Sequence, residues 1–128
     1  MDARVIPPAA LILTLLIIGY VEGFNNPFAI WNALPVLAAG GLLARGRDET
    51  MEQASSGRFG AYGFAAGVIL IEAGAHFAWI YNWAGTATGS STSALMFVTL
   101  PVVALAVGGA GMLAGRAIGR FHDHRRGR

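Results

Sequence analysis

Glu72 and His76 stand four residues apart inside a long apolar run, residues 59–83. On a helix this spacing puts both side chains on one face. A carboxyl beside an imidazole can share or exchange a proton near neutral pH. An ionised acid near the centre of a bilayer costs roughly 2.5–3.5 kcal/mol even on the lenient insertion scale. Such a pair therefore needs a polar neighbour, a shared proton or a bound cation. Three uses are open for it: a structural polar contact with a neighbouring helix, Asn32 for example; a proton- or cation-handling site; or, with His76 as axial ligand, a haem or chlorin site. No cofactor is expected beyond that last alternative. His122 and His124 lie in the charged tail, cannot reach the same depth, and read as a solvated end with no metal site.

The absence of cysteine removes disulfides, thiolate metal sites and thiol catalysis. There is no nucleophile–base arrangement and no glycine-rich loop leading from strand to helix, so enzymatic chemistry is not expected. All nine basic residues are arginine and the formal charge is +2; the arginines flank apolar segments, which argues against nucleic acid as a partner. Exclusive arginine usage points to a GC-rich coding sequence and hence to a bacterial inner membrane.

The elements that must carry the pair follow from hydropathy. Hydrophobic residues make up 55% of the chain and charged residues 12%, about half the usual share, and the charges are confined to the ends and one loop. Helices are expected at residues 5–22, 28–44, 59–83 and 94–118, each able to cross a core of about 30 Å, the second only just. The first run has a thin positive flank and a poor cleavage site, and reads as a retained helix. The expected fold is all-α: a single polytopic domain over residues 1–128, with four transmembrane helices in two antiparallel hairpins.

Arginine placement orients it. Segments 23–27 and 84–93 contain none, whereas loop 45–58 holds Arg45, Arg47 and Arg58, and the last helix end and tail (119–128) hold Arg116, Arg120, Arg125, Arg126 and Arg128. The positive-inside rule makes that loop, the tail and the N-terminus with Arg4 cytoplasmic. Tyr20, Trp31, Trp79, Tyr81 and Trp83 then form an outer aromatic belt. Glu22, Asn25, Asn26, Asn32, His76 and Asn82 fall in the outer half. Glu22, Asn32, Trp79 and Asn82 would line a pocket open to the outside and floored by Glu72, although Glu22, Asn25 and Asn26 also read simply as a polar loop. Leu34-Pro35-Val36 and Leu100-Pro101-Val102 echo one another, which leaves a parallel duplication open.

Glycine placement supplies the packing. At about 100° per residue Gly60, Gly63, Gly67 and Gly74 share a face of the third helix, and the Glu72–His76 face lies roughly 150° away from the first three. Ala104, Gly108, Gly111, Gly115 and Gly119 make a matching stripe on the fourth. Packing of these two helices is the expected use; a dimer seam is the alternative. The function these features suggest is a small membrane subunit, oligomeric or complex-associated, in a transport or energy-transducing system, with Glu72 and His76 handling a proton or cation. Its partners would be the lipid bilayer and copies of itself or other membrane subunits. The competing expectation is a structural or assembly subunit with no transport chemistry.

Overall fold

The computed structural model describes residues 5–48, 54–87 and 91–126. Among them are four α-helices, α1 (Ile6–Glu22), α2 (Pro27–Asp48), α3 (Ala54–Ile80) and α4 (Ser91–Arg126), with one 3-10 turn, Trp83–Gly85, and no strand. α2, α3 and α4 are long and apolar enough to cross a membrane; α1, at 17 residues, is a shorter apolar helix.

Local chemistry explains the breaks. Prolines in its first turn start α1, where their missing N–H groups have no intrahelical use. Gly23 ends it at φ 84°, donating its N–H to the Gly19 carbonyl at 3.0 Å. Asn26 then caps both helices. Its Nδ2 donates to the Glu22 carbonyl at 3.1 Å and its Oδ1 accepts the Phe28 N–H at 3.0 Å, with Pro27 as the first residue of α2. α3 stops at Ile80, short of the expected residue 83, because Asn82 and Ala84 adopt left-handed φ values of 50° and 52°. The Asn82 side chain steadies this turn by accepting the Ala87 N–H at 2.9 Å. Both α2 and α4 outrun expectation. α2 continues through Arg45 and Arg47 to Asp48, and α3 already begins at Ala54, which shortens the loop expected over 45–58. α4 runs to Arg126, so most of the expected tail is helix, and the His122 ring stacks on Phe59 with centroids 6.1 Å apart. Arginines near a helix C-terminus favour such continuation through the helix dipole.

α3 and α4 form the most extensive pairing, and it is antiparallel. A Cβ on Gly63 would strike the Gly111 carbonyl, and one on Gly111 would strike the Gly63 carbonyl; Gly115 lies in the same way against the Phe59 carbonyl. Gly67 meets Val107 and Gly108, Gly60 meets Met112 and Arg116, and Gly119 is buried. Gly74 is outside this seam: it is exposed, and a Cβ there would have nothing within 4 Å of it. Near that level α4 has moved round α3. Phe97 lies against His76 and Trp79, with centroids 5.1 Å and 4.9 Å away. Pro101 sits in α4 between this contact and the glycine seam. The expectation that His76 faces away from α4 is thus corrected: the α3 surface in contact with α4 changes along its length.

α1 and α2 pack across the α3–α4 pair. Leu11 and Ile18 of α1, Val36 and Ala39 of α2, and Phe64, Ala65 and Val68 of α3 make the core. The burial pattern is inverted relative to a water-soluble bundle. Thr14, Asn32, Glu72 and His76 are fully enclosed, whereas Leu70 is 69% and Leu113 66% exposed, with Leu13, Leu16, Leu37 and Val102 also outward. Polar groups inside and leucine outside suit a lipid solvent.

Candidate functional site

The polar cluster lies toward the end of the bundle where α1 turns into α2 and α3 connects to α4. Each helix contributes through its buried stripe: Thr14, Ile18 and Glu22 on α1; Ala29, Asn32 and Val36 on α2; Val68, Glu72 and His76 on α3; Phe97, Leu100 and Ala104 on α4. The Glu22 side chain is only 4% exposed. Its Oε1 accepts from Asn32 Nδ2 at 2.9 Å and lies 2.7 Å from His76 Nε2. The other ring nitrogen, His76 Nδ1, is 2.6 Å from the Glu72 backbone carbonyl and 3.9 Å from Glu72 Oε2.

The carbonyl fixes the tautomer. A carbonyl oxygen only accepts, so Nδ1 carries a hydrogen and donates it. The Nε2–Oε1 contact then holds one proton, either on the ring as an imidazolium–carboxylate pair or on Glu22 as a carboxyl donating to a neutral ring. With Nδ1–H fixed, Glu22, Glu72 and Nε2 are three places for mobile protons. Two such protons make the cluster neutral, and one leaves it with a single negative charge. A fully enclosed net charge is costly, which favours the two-proton state unless a cation enters. Glu22 Oε2, Asn32 Oδ1 and both Glu72 carboxyl oxygens are buried without a hydrogen-bond partner. Spare acceptors on this scale leave room for a proton to change place.

Above the cluster, a cleft of about 300 Å³ opens between the hairpins. Glu22 and Asn26 supply its polar surface, and Phe28, Trp79, Phe97 and Val98 are among its apolar walls. A hydrogen bond from Trp31 Nε1 to the Val98 carbonyl, 3.0 Å, ties α2 to α4 close to this wall.

Of the residues expected to line an outer pocket, Glu22 and Trp79 do so. Asn32 is enclosed behind Glu22, and Asn82 is exposed in the α3–α4 connection. Glu72 is not the floor of the cleft; it lies a turn below His76, while Glu22 reaches the opening. The main correction concerns Glu22, which is no mere loop residue but the partner of His76. Its signal was available, because Thr14, Ile18 and Glu22 repeat at i,i+4 on the buried face of α1. His76, the ligand of the haem or chlorin alternative, has both ring nitrogens in contacts within the chain. Among the described residues no group of three His, Cys, Asp or Glu side chains is arranged to hold a metal ion.

No protein-family model, curated protein or solved structure matches the chain.

Proposed function

We propose that the chain is a four-span membrane protein that works as a subunit of a transport or energy-transducing system, with Glu22, His76 and Glu72 taking up and releasing protons through the cleft. The observation that carries this reading is the 2.7 Å contact between His76 Nε2 and Glu22 Oε1, with an unpartnered, buried Glu72 carboxyl on the other side of the same ring. The imidazole can take a proton from Glu22 at Nε2 and return it there, while the Glu72 carboxyl beside the ring is a further place for a proton. The arginine distribution supports cytoplasmic chain ends, which turns the cleft to the extracytoplasmic side. The bacterial inner membrane remains the location these features fit. The apolar outward surfaces suit lipid or neighbouring membrane subunits, while the α3–α4 glycine seam is already filled within the chain.

The test is proton counting on the purified protein in mild detergent. Infrared difference spectra recorded across a pH titration should show carboxyl C=O bands, one lost in Glu22→Gln and another in Glu72→Gln. Absence of any carboxyl band assignable to either residue across the titration would end the proton-handling reading.

A second reading has its own support. The Glu22–His76 contact joins one hairpin to the other. A static clasp would serve a structural or assembly subunit equally well. In that case the protonation state stays fixed, and Glu72→Gln leaves both transport and assembly of the native complex unaltered.

A further inference from the structure

The cleft has a composition that the proton reading alone does not use. Its walls are apolar and aromatic, with Phe28, Trp79 and Phe97 contributed by three different helices, while Glu22 supplies a carboxyl. Glu22 Oε1 is taken by Asn32 and His76, but Oε2 is buried and unpartnered. Among the described residues no arginine competes for it. Arg45 lies near the far end of α2, Arg58 near the start of α3, and Arg116, Arg120 and Arg125 in the distal third of α4. Among the described residues, the charged or titratable groups facing Glu22 are His76 and Glu72 from α3; α2 presents the neutral amide of Asn32, and α4 presents the Phe97 ring at His76 and apolar side chains in the cleft. A negative group at the base of an aromatic cleft selects positive charge on an apolar body, through Coulomb attraction and the faces of the rings. A volume of about 300 Å³ is at the small end for ligand pockets.

We infer that the cleft binds a small organic cation, a substituted ammonium carrying an aromatic or branched aliphatic group, with Glu22 Oε2 as its counter-charge. The proposal rests on the proton-handling reading in one respect. A cation at Glu22 replaces a mobile proton of the cluster, so binding releases a proton and tightens as pH rises. Where a whole proton is displaced, affinity increases about tenfold per pH unit. An inorganic cation has no apolar body for the aromatic walls to bury, and an anion is repelled by Glu22.

Calorimetric titration of the full chain in maltoside micelles, a detergent with no ammonium group, tests this. The probes are benzyltrimethylammonium, its neutral carbon isostere neopentylbenzene and the anion benzylsulfonate, each corrected for empty micelles. The expected result is saturable binding of the cation alone. Glu22→Gln should weaken it at least tenfold. Leu95 also lines the cleft and makes no hydrogen bond to the cluster, so Leu95→Trp should weaken binding while leaving the carboxyl infrared bands in place. Equal binding of cation and isostere, or an unchanged cation affinity in both variants, overturns the proposal. Displacement of the probe by equimolar short-chain phosphatidylcholine would assign the site to a lipid headgroup and overturn the free-solute reading. Repeating the titration in buffers of different ionisation enthalpy counts released protons. Selective binding without proton release upholds the cation site and removes the proton coupling. Infrared bands that titrate in a protein deaf to all three probes do the reverse.

Discussion

Replacing Glu22 by alanine removes one partner from a buried contact and strands two others. His76 Nε2 loses its neighbour at 2.7 Å, and Asn32 Nδ2 loses its acceptor at 2.9 Å. The size of the Glu22–His76 coupling reports where the shared proton resides. Neutral interhelical hydrogen bonds in membrane proteins average about 0.6 kcal/mol in double-mutant cycles. A bond with an ionised partner is worth about 1.5–3 kcal/mol. A cycle of Glu22→Ala, His76→Ala and the double variant, read by tryptophan fluorescence during unfolding from mixed micelles, separates these cases. With both carboxyls and the ring enclosed, we expect a coupling of about 1.5–3 kcal/mol, the range for an imidazolium–carboxylate pair. A value near 0.6 kcal/mol would place the proton on Glu22 facing a neutral ring. A coupling indistinguishable from zero would refute the contact itself, and with it the proton exchange. Glu22→Gln should behave differently, because an amide oxygen in the place of Oε1 still accepts from Asn32 Nδ2, so folding survives as proton exchange is lost.

Gly63→Leu should separate α3 from α4 and abolish the folded state in detergent, whereas Gly74→Ala should be neutral or stabilising by up to ~1 kcal/mol, as both can be read from unfolding midpoints. Trp31→Phe keeps the ring but drops the hydrogen bond to the Val98 carbonyl, and should cost about 0.5–1.5 kcal/mol in the same assay. Ala84→Gly relieves a left-handed alanine at φ 52° and should stabilise by roughly 1 kcal/mol; a loss of stability would show that this connection is not held as described.

What could be read in advance depended on periodicity. Glu72 and His76 share a face with Ala61, Ala65 and Val68, and all five are buried together. The two glycine stripes meet for the same reason: a helical repeat translates directly into a contact face. What could not be read came from geometry beyond a single helix. Glu22 precedes a glycine and two asparagines, so composition marks a loop; its i,i+4 repeat with Thr14 and Ile18 gives its face on α1, but its partner on α3 follows from the double cap by Asn26 and the close approach of the hairpins. Gly74 fits the glycine stripe by angle, yet α4 no longer runs along that face at its level, where Phe97 lies on the other side of α3 instead. The end of α3 was missed because left-handed turns at Asn82 and Ala84 leave little trace in hydropathy.

The brevity of α1 has a consequence for the membrane itself. Seventeen residues extend about 25 Å, some 5 Å less than an ordinary hydrocarbon core, whereas α4 with 36 residues extends about 54 Å. Set in a bilayer as proposed, the lipid beside α1 must thin, or headgroups and water must dip toward its end, the usual response to hydrophobic mismatch. That dimple would form where Gly23 stops the helix and Glu22 faces the cleft. Bulk water would thus come down to the carboxyl, and the protein would reach a buried acid without building a channel to it.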